Sequence, residues 1–225
     1  MKQHVTFDIE FRKNPHKGLY IVLEGINASG KNTQINNLKT YFQSQGKKVV
    51  TTDEPTKTLP IGKFVRKLIT DGEKIPPSAL QYLYTADRII NHQTIIIPAL
   101  KQGKIVLASR SFWSAVVYGV MDQGERDYTR PDADLILVAQ GILSMYHQTL
   151  LPDYTFYLDI PVDAALKRMK KLRRTKDIYE TRGKLAQLLS GYRWLKEQYK
   201  DEFISIDAEK PIDAVTEDIL QMVKL

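Results

Sequence analysis

The sequence predicts an α/β protein: a three-layer α/β/α domain in which helices cover both faces of a five-stranded, mostly parallel sheet. Short apolar runs rich in Val, Ile, Phe and Tyr alternate with helix-patterned segments after residue 18. The 225 residues contain no linker, repeat or low-complexity block. We therefore expect one domain over residues 19–225, preceded by an N-terminal extension of residues 1–18.

Five segments have the length and composition of buried strands. They are LYIVLEG (19–25), KKVVTTD (47–53), KIVLAS (104–109), YTFYLDI (154–160) and EFISID (202–207). A helix is expected from about Lys31 to Gln45, where a glycine follows, because glycine commonly ends helices. Another is expected from Ser78 to about Leu100, with Ser78 and Gln81 forming a capping box.

The composition narrows the classes of partner. A net charge of +7 and a pI of about 9.3 indicate an anionic partner. No aromatic-rich RNA-binding signature accompanies the basic residues, so we expect phosphorylated small molecules and no nucleic acid. No apolar run approaches the roughly 18 residues of a membrane span, so no membrane association is expected. The chain has 0 cysteines, which fits a reducing cytoplasm.

The segment LEGINASGKNTQ (23–34) has the spacing of a phosphate-binding loop, G-x4-G-K-[S/T]. It follows a predicted strand and opens a predicted helix, so that backbone N–H groups and the helix N-terminus can surround phosphates. Glycines permit the backbone angles that such a loop needs, and the lysine supplies a point charge. The predicted nucleotide-binding residues are Gly25, Asn27, Ala28, Ser29, Gly30, Lys31, Asn32 and Thr33.

Asn32 departs from the loop pattern, which places a Ser or Thr hydroxyl at this position to bind Mg²⁺. The Asn amide oxygen is also a hard ligand, but it stands one carbon further from the backbone. It can bind the ion directly, bind it through a water, or leave the ion more loosely held. Phosphate binding is expected to survive in each case.

Several fragments, in order, resemble the thymidylate kinase family from about Leu19 to the C-terminus. They are YIVLEGINASGKNTQ, DEPT (53–56), YLYTADR (82–88), SRSFWSAVVYG (109–119), LPDYTFYLDIPVDAALKR (151–168) and FISIDAEKPIDAV (203–215). The resemblance implies a P-loop NTPase fold with a small basic lid at about residues 170–182. It also implies ATP and Mg²⁺ as cofactors, dTMP or a close pyrimidine monophosphate as the acceptor, and a homodimer.

The same resemblance assigns an acceptor site. Tyr84 matches an aromatic ring stacked on thymine, and Arg88 matches an arginine that reads a thymine carbonyl. Positions four apart lie on one helical face, so this pair can converge on one base. Arg110 matches the arginine of a D-R-Y motif that holds the monophosphate. The remaining acceptor residues are Glu54, Pro55, Ser114 and Tyr118, and Asn27 of the loop matches an acidic position that lies close to the acceptor nucleotide.

The basic stretch that matches the lid is expected to close over ATP. It contains Arg173, Arg174, Lys176 and Arg182. Some family members carry an arginine in the phosphate loop at the position of Ala28, so the lid arginines are expected to supply the catalytic charge here. The predicted catalytic residues are Lys31, Arg110, Arg173 and Arg174.

Four positions depart from the family pattern. Asn32 and Ser109, the predicted metal-site residues, replace a hydroxyl residue and an aspartate that support Mg²⁺. Asp53 stands where the family has an arginine that anchors the acceptor. Gly119 leaves no side chain where bacterial relatives often carry a polar group that reads the base. The carboxylates that can compensate in metal support are Glu24, Asp53 and Glu54.

Two alternatives remain open from the sequence. The substituted metal positions also fit a nucleotide-binding protein with weak or no kinase activity. The segment SRSFWS is similar to the E-R-S segment of deoxynucleoside kinases. A nucleoside hydroxyl needs a general base, and no carboxylate lies between Ser109 and Ser114. Glu24 is the remaining candidate for that base.

Overall fold

A computed structural model describes residues 10–122, 124, 128, 133–172 and 178–224. The strands are β1 (Leu19–Glu24), β2 (Val49–Asp53), β3 (Ile105–Ser109), β4 (Tyr154–Asp159) and β5 (Ile204–Asp207). The helices are α1 (Lys31–Ser44), α2 (Pro60–Asp71), α3 (Pro77–Asn91), α4 (Ile97–Lys101), α5 (Phe112–Asp122), α6 (Ala133–Ser144), α7 (Val162–Leu172), α8 (Arg182–Gln198) and α9 (Ile212–Met222).

The strands form one sheet in the order β2-β3-β1-β4-β5, and every pairing between them is parallel. The predicted five-stranded α/β fold is therefore confirmed, with a fully parallel sheet in the described part of the chain. Asp53 at the end of β2 lies beside Ser109 at the end of β3, and Leu23 of β1 lies on the other side of Ser109. The carboxyl ends of these strands thus meet at one edge, where parallel α/β sheets bind ligands.

Side chains of successive strand residues bury opposite faces of the sheet. In β1, Ile21 and Leu23 face the larger core cluster, which includes Phe42 of α1. Tyr20 and Val22 point the other way, into a second cluster with Ile96 and Leu100. Both faces of the sheet are therefore covered, as the three-layer prediction requires.

The helix predicted over residues 78–100 differs in two respects. It begins at Pro77 with Pro76 as its N-cap and has no side-chain cap, so the predicted capping box is wrong. Two consecutive prolines have dihedral angles that start a helix without it. Near its end, a π-helical turn (His92–Ile96) separates α3 from α4. Pro98 lacks an N–H and its ring opposes a normal α-turn, which accounts for the wider turn.

The described part of the N-terminal extension packs against the domain. Phe11 stacks on Phe112 of α5 at 5.4 Å between ring centroids. The Leu151 N–H donates to the Arg12 carbonyl oxygen at 2.8 Å. Residues 12–14 therefore lie along the segment that leads into β4. Within the described residues, no helix is both long and apolar enough to cross a membrane.

Candidate functional site

A cleft of about 690 Å³ opens at the carboxyl ends of the strands. One wall is the loop between β1 and α1, and the opposite wall comes from β3, α3 and α5. The predicted residues that line it are residues 27–33, Glu54, Pro55, Tyr84, Arg88, Ser109, Arg110, Ser114 and Tyr118. The structure thus gathers the predicted phosphate loop and the predicted acceptor residues around one space.

The loop has the backbone conformation that its glycines were expected to permit. Gly25 has a φ of 138° and Gly30 a φ of 109°, both in a region that side chains rarely adopt. A Cβ on Gly25 would also lie 2.8 Å from the Leu158 carbonyl oxygen. Ala28 adopts a φ of 61° between them. The loop therefore ends directly at the N-terminus of α1, where N–H groups lack partners within the helix.

Lys31 is the first residue of α1 and is only 7% exposed. Its Nζ donates to the Gly25 and Ile26 carbonyl oxygens at 2.9 and 2.8 Å, and lies 3.5 Å from Ser29 Oγ. The ammonium group is thus held within the loop, next to the space that phosphates would fill.

Arg110 projects from the end of β3 with a φ of 77°, a left-handed conformation that is uncommon for an arginine. The guanidinium lies over the Tyr118 ring, with Cζ 4.8 Å from the ring centroid. Nη1 donates to Gly25 O at 3.2 Å, to Ser114 Oγ at 3.2 Å and to Tyr192 Oη at 3.1 Å. Nη2 donates to Asn27 Oδ1 at 2.6 Å and to Tyr118 Oη at 2.7 Å. These contacts fix the guanidinium between the loop and α5, which positions it for an anion.

Glu24 organises the groups behind Arg110. It is fully buried, and its Oε1 accepts hydrogen bonds from the Ser111 N–H and hydroxyl, both at 2.8 Å. Its Oε2 accepts from the hydroxyls of Ser114 and Tyr192 at 2.6 and 2.9 Å. Both carboxylate oxygens are occupied, so Glu24 acts as a positioning residue, and the geometry does not favour it as a general base or metal ligand. Sequence reasoning missed Tyr192, which is distant in the chain.

The wall opposite the loop carries a buried ion pair. Arg88 Nε pairs with Glu54 Oε2, and Asn91 Nδ2 donates to Glu54 Oε1 at 3.3 Å. Burial raises the pKa of Glu54, while Arg88 acts in the opposite direction. The Arg88 guanidinium lies over the Tyr146 ring at 4.8 Å, and its Nη1 has no hydrogen-bond partner among the described residues. Arg88 thus lines the same cleft as Tyr84, and that Nη1 is buried behind the cleft surface.

Three of the four positions that depart from the family pattern, Asn32, Asp53 and Ser109, line the cleft. Asn32 is exposed at the first turn of α1. Asp53 and Ser109 are neighbours across β2 and β3. The Asp53 carboxylate pairs with Lys57 at 2.8 Å. A carboxylate is therefore present at the strand ends, one strand away from the position that the family pattern gives it.

Three of the four basic residues matched to the lid, Arg173, Arg174 and Lys176, lie outside the described residues. Arg182 begins α8, is exposed, and pairs with Asp163 of α7. Arg182 is not among the described residues that line the cleft.

Two arginines at the cleft were not predicted. Arg66 of α2 donates to the Pro55 carbonyl oxygen and, at 3.3 Å, to that of Thr56. Arg168 of α7 donates to the Ser29 carbonyl oxygen at 3.2 Å and to that of Ala208 at 2.6 Å. Each lies on a helix rich in basic residues, so no sequence signal separated these arginines from a solvated helix face.

Asp122, at the end of α5, gives a test by pH. Burial raises its pKa to about 6, although the Tyr179 hydroxyl, which donates to it at 2.9 Å, and Lys184 oppose the shift. The folded state binds the proton of Asp122 more tightly than the unfolded state does, so protonation of this carboxyl stabilises the fold at acidic pH. That stabilisation is lost as pH rises through about 6. Asp122→Asn stays neutral and can still accept from Tyr179. We expect its thermal midpoint, measured relative to the parent, to rise between pH 4.5 and pH 8. A difference that is constant over this range contradicts the assignment.

Comparisons with known proteins agree with the geometry. A family model described as Thymidylate kinase matches residues 23–219. A probable thymidylate kinase of Thermococcus kodakarensis is 32% identical over 218 residues, covering 92% of this chain and 97% of the relative. A thymidylate kinase of Prochlorococcus marinus is 36% identical over 219 residues, covering 92% and 99%. The solved structure of thymidylate kinase from Candida albicans shares the fold, with a TM-score of 0.76 at 22% identity, covering 91% of this chain and 90% of that chain.

Proposed function

Because the chain belongs to the thymidylate kinase family, we propose that it transfers the γ-phosphoryl group of ATP to dTMP, giving ADP and dTDP. One observation carries the proposal: the phosphate loop around Lys31 and the guanidinium of Arg110 face a single cleft. A donor phosphate and an acceptor phosphate can meet there without any movement of the sheet.

The reaction needs no protein nucleophile. An oxygen of the dTMP phosphate attacks the γ-phosphorus in line, the bond to the β,γ-bridging oxygen breaks, and ADP leaves with that electron pair. Catalysis then depends on positioning and on positive charge around the transferred group. We assign the donor phosphates to the loop amides and Lys31, and the acceptor phosphate to Arg110.

The base of the acceptor is assigned to the wall formed by α3 and α5. Tyr84 supplies an aromatic face, and Arg88 supplies a donor that is unpaired among the described residues. Ser114 and Tyr118 hold Arg110 from the side and border the space between phosphate and base. Glu54 and Pro55 complete this wall by holding Arg88 and Arg66.

A magnesium ion is implied by the family, and the donor set at the cleft fits it. Asn32, Ser109 and Asp53 offer amide, hydroxyl and carboxylate oxygens, the hard ligands that Mg²⁺ prefers. Among the described residues, no group of three or more His, Asp or Glu side chains forms a site by itself. The ion is therefore expected to rely on nucleotide phosphates and water as well. When bound, it neutralises charge on the β- and γ-phosphates.

The acceptor is tested by measuring ADP formation with ATP and Mg²⁺ against dTMP, dUMP, dCMP and thymidine. We expect turnover that depends on a pyrimidine monophosphate and is fastest with dTMP. Turnover with thymidine but not dTMP overturns the proposal in favour of a deoxynucleoside kinase. Binding of ATP and dTMP without turnover overturns it in favour of a nucleotide-binding protein.

Asn32→Thr combined with Ser109→Asp is expected to raise turnover and alter its Mg²⁺ dependence.

We also propose that the chain acts as a homodimer in the cytoplasm. Phe64 of α2 is 52% exposed and Tyr82 of α3 is 65% exposed, which leaves apolar surface on two helices that contact each other. The absence of cysteine from the sequence suits a reducing compartment. Sedimentation equilibrium tests the dimer directly, and a monomer at micromolar concentration contradicts it.

A further inference from the structure

Gln81 lines the cleft and has no role among those assigned so far. It lies on α3 one turn before Tyr84 and two turns before Arg88, so the three residues share one helical face. All three line the cleft. Gln81 is only 2% exposed, yet neither Oε1 nor Nε2 has a hydrogen-bond partner among the described residues. A buried amide without partners is costly, which indicates a missing partner.

Gly119 of α5 makes the room that this amide occupies. A Cβ at residue 119 would lie 2.7 Å from Gln81 Nε2 and 2.8 Å from its Cδ, closer than side chains pack. The same Cβ would lie 2.5 Å from Ile142 Cδ1. Any side chain at residue 119 would thus occupy the space of the Gln81 amide. The position of that amide therefore depends on the glycine.

From this geometry we propose that Gln81 reads the base of the acceptor nucleotide, pairing with the Watson–Crick edge of a thymine or uracil. This inference rests on the proposed function. An amide carries one acceptor and two donor hydrogens, which match the N3–H and a neighbouring carbonyl of these bases. Arg88, whose buried Nη1 also has no partner among the described residues, suits the 4-carbonyl of the base.

The same pair of residues disfavours cytosine. Cytosine presents an amino group where thymine presents the 4-carbonyl, so a donor of Arg88 would meet another donor. Gln81 alone can rotate its amide to suit either base, but the ion pair with Glu54 fixes the Arg88 guanidinium. Selectivity therefore comes from the two residues acting on one edge.

The amide atoms are buried beside Gly119, so base contact requires the Gln81 side chain to rotate towards the cleft opening. No hydrogen bond to a described residue holds the amide in its present position. Rotation consequently sacrifices no polar contact there, and a bound base supplies the partners that the amide lacks.

The test compares Gln81→Leu, a substitution of similar volume, with the parent and with Gln140→Leu, the same change at an exposed position of α6. The dTMP dissociation constant is measured by calorimetry, and kcat/KM for dTMP, dUMP and dCMP is measured at saturating ATP. For Gln81→Leu we expect dTMP affinity and kcat/KM to fall about 10- to 100-fold, and the preference for dTMP over dCMP to fall about tenfold. The KM for ATP and the values for Gln140→Leu should match the parent.

Thermal stability separates base reading from a structural role. Because Leu replaces an amide that has no partner among the described residues, Gln81→Leu should melt at or above the temperature of the parent. A variant that fails to fold, or that keeps dTMP affinity within twofold, overturns the inference. The affinity measurement does not require turnover, so a parent that binds dTMP but transfers no phosphate refutes the proposed kinase activity alone.

Discussion

Arg110→Lys is expected to lower kcat/KM for dTMP by about 10²- to 10³-fold and to leave the KM for ATP nearly unchanged. The planar guanidinium contacts Asn27 and Tyr118 through one nitrogen and Ser114 through the other. Lysine has a single charged nitrogen and cannot span these partners or bind a phosphate through two parallel hydrogen bonds. Steady-state kinetics with dTMP varied at saturating ATP measure the effect.

Arg193→Lys is the matched control, because Arg193 is 60% exposed on α8 and lies 4.0 Å from Asp159. It should keep the parent's kinetics, since exposed ion pairs contribute little. If Arg110→Lys retains dTMP kcat/KM within tenfold of the parent while remaining folded, the acceptor phosphate does not bind at Arg110.

Lys31→Met is expected to lower kcat by about 10²- to 10³-fold and to weaken ATP binding. The ammonium group is the charge that the loop itself brings to the donor phosphates, and Met retains the length of the side chain without that charge. Lys31 is only 7% exposed, and in the variant the two carbonyl oxygens that accept hydrogen bonds from its Nζ lose this donor. A modest fall in thermal midpoint is therefore also expected. Single-turnover transfer and calorimetric titration of ATP separate the two kinetic effects.

Lys47→Met, the same change at an exposed residue after α1, should leave transfer, ATP affinity and melting at the parent's values. Equal single-turnover rates for Lys31→Met and the parent would show that donor phosphates do not depend on this lysine.

Local sequence patterns were sufficient for much of the architecture and for the phosphate loop. The strands are short apolar runs, and the loop joins a strand to a helix, so residues close in sequence determine both. The interruption between α3 and α4 was harder to predict. A proline near the end of a helical pattern indicates a disturbance, but its form depends on packing.

The residues that support the site could not be predicted from the sequence, because they lie on elements that are far apart in the chain. Tyr192 reaches Glu24 across 168 positions of the chain, and no periodicity reports such a contact. The departure at Gly119 also depends on a contact between distant residues, because the Gln81 amide lies in the space beside this glycine. A resemblance to a family compares single positions such as Gly119 on α5. Here the space beside Gly119 is filled by Gln81 of the neighbouring helix α3. Asp53 beside Ser109 is a similar case between two strands.

The central claim is that donor and acceptor nucleotides occupy opposite walls of one cleft. A crystal structure with a non-hydrolysable ATP analogue, Mg²⁺ and dTMP tests it most directly. We predict the β- and γ-phosphates within about 3 Å of the backbone nitrogens of Gly30 and Lys31, and the dTMP phosphate within about 3 Å of the Arg110 guanidinium. A dTMP molecule bound outside this cleft, or a triphosphate lying away from the loop, would contradict the account.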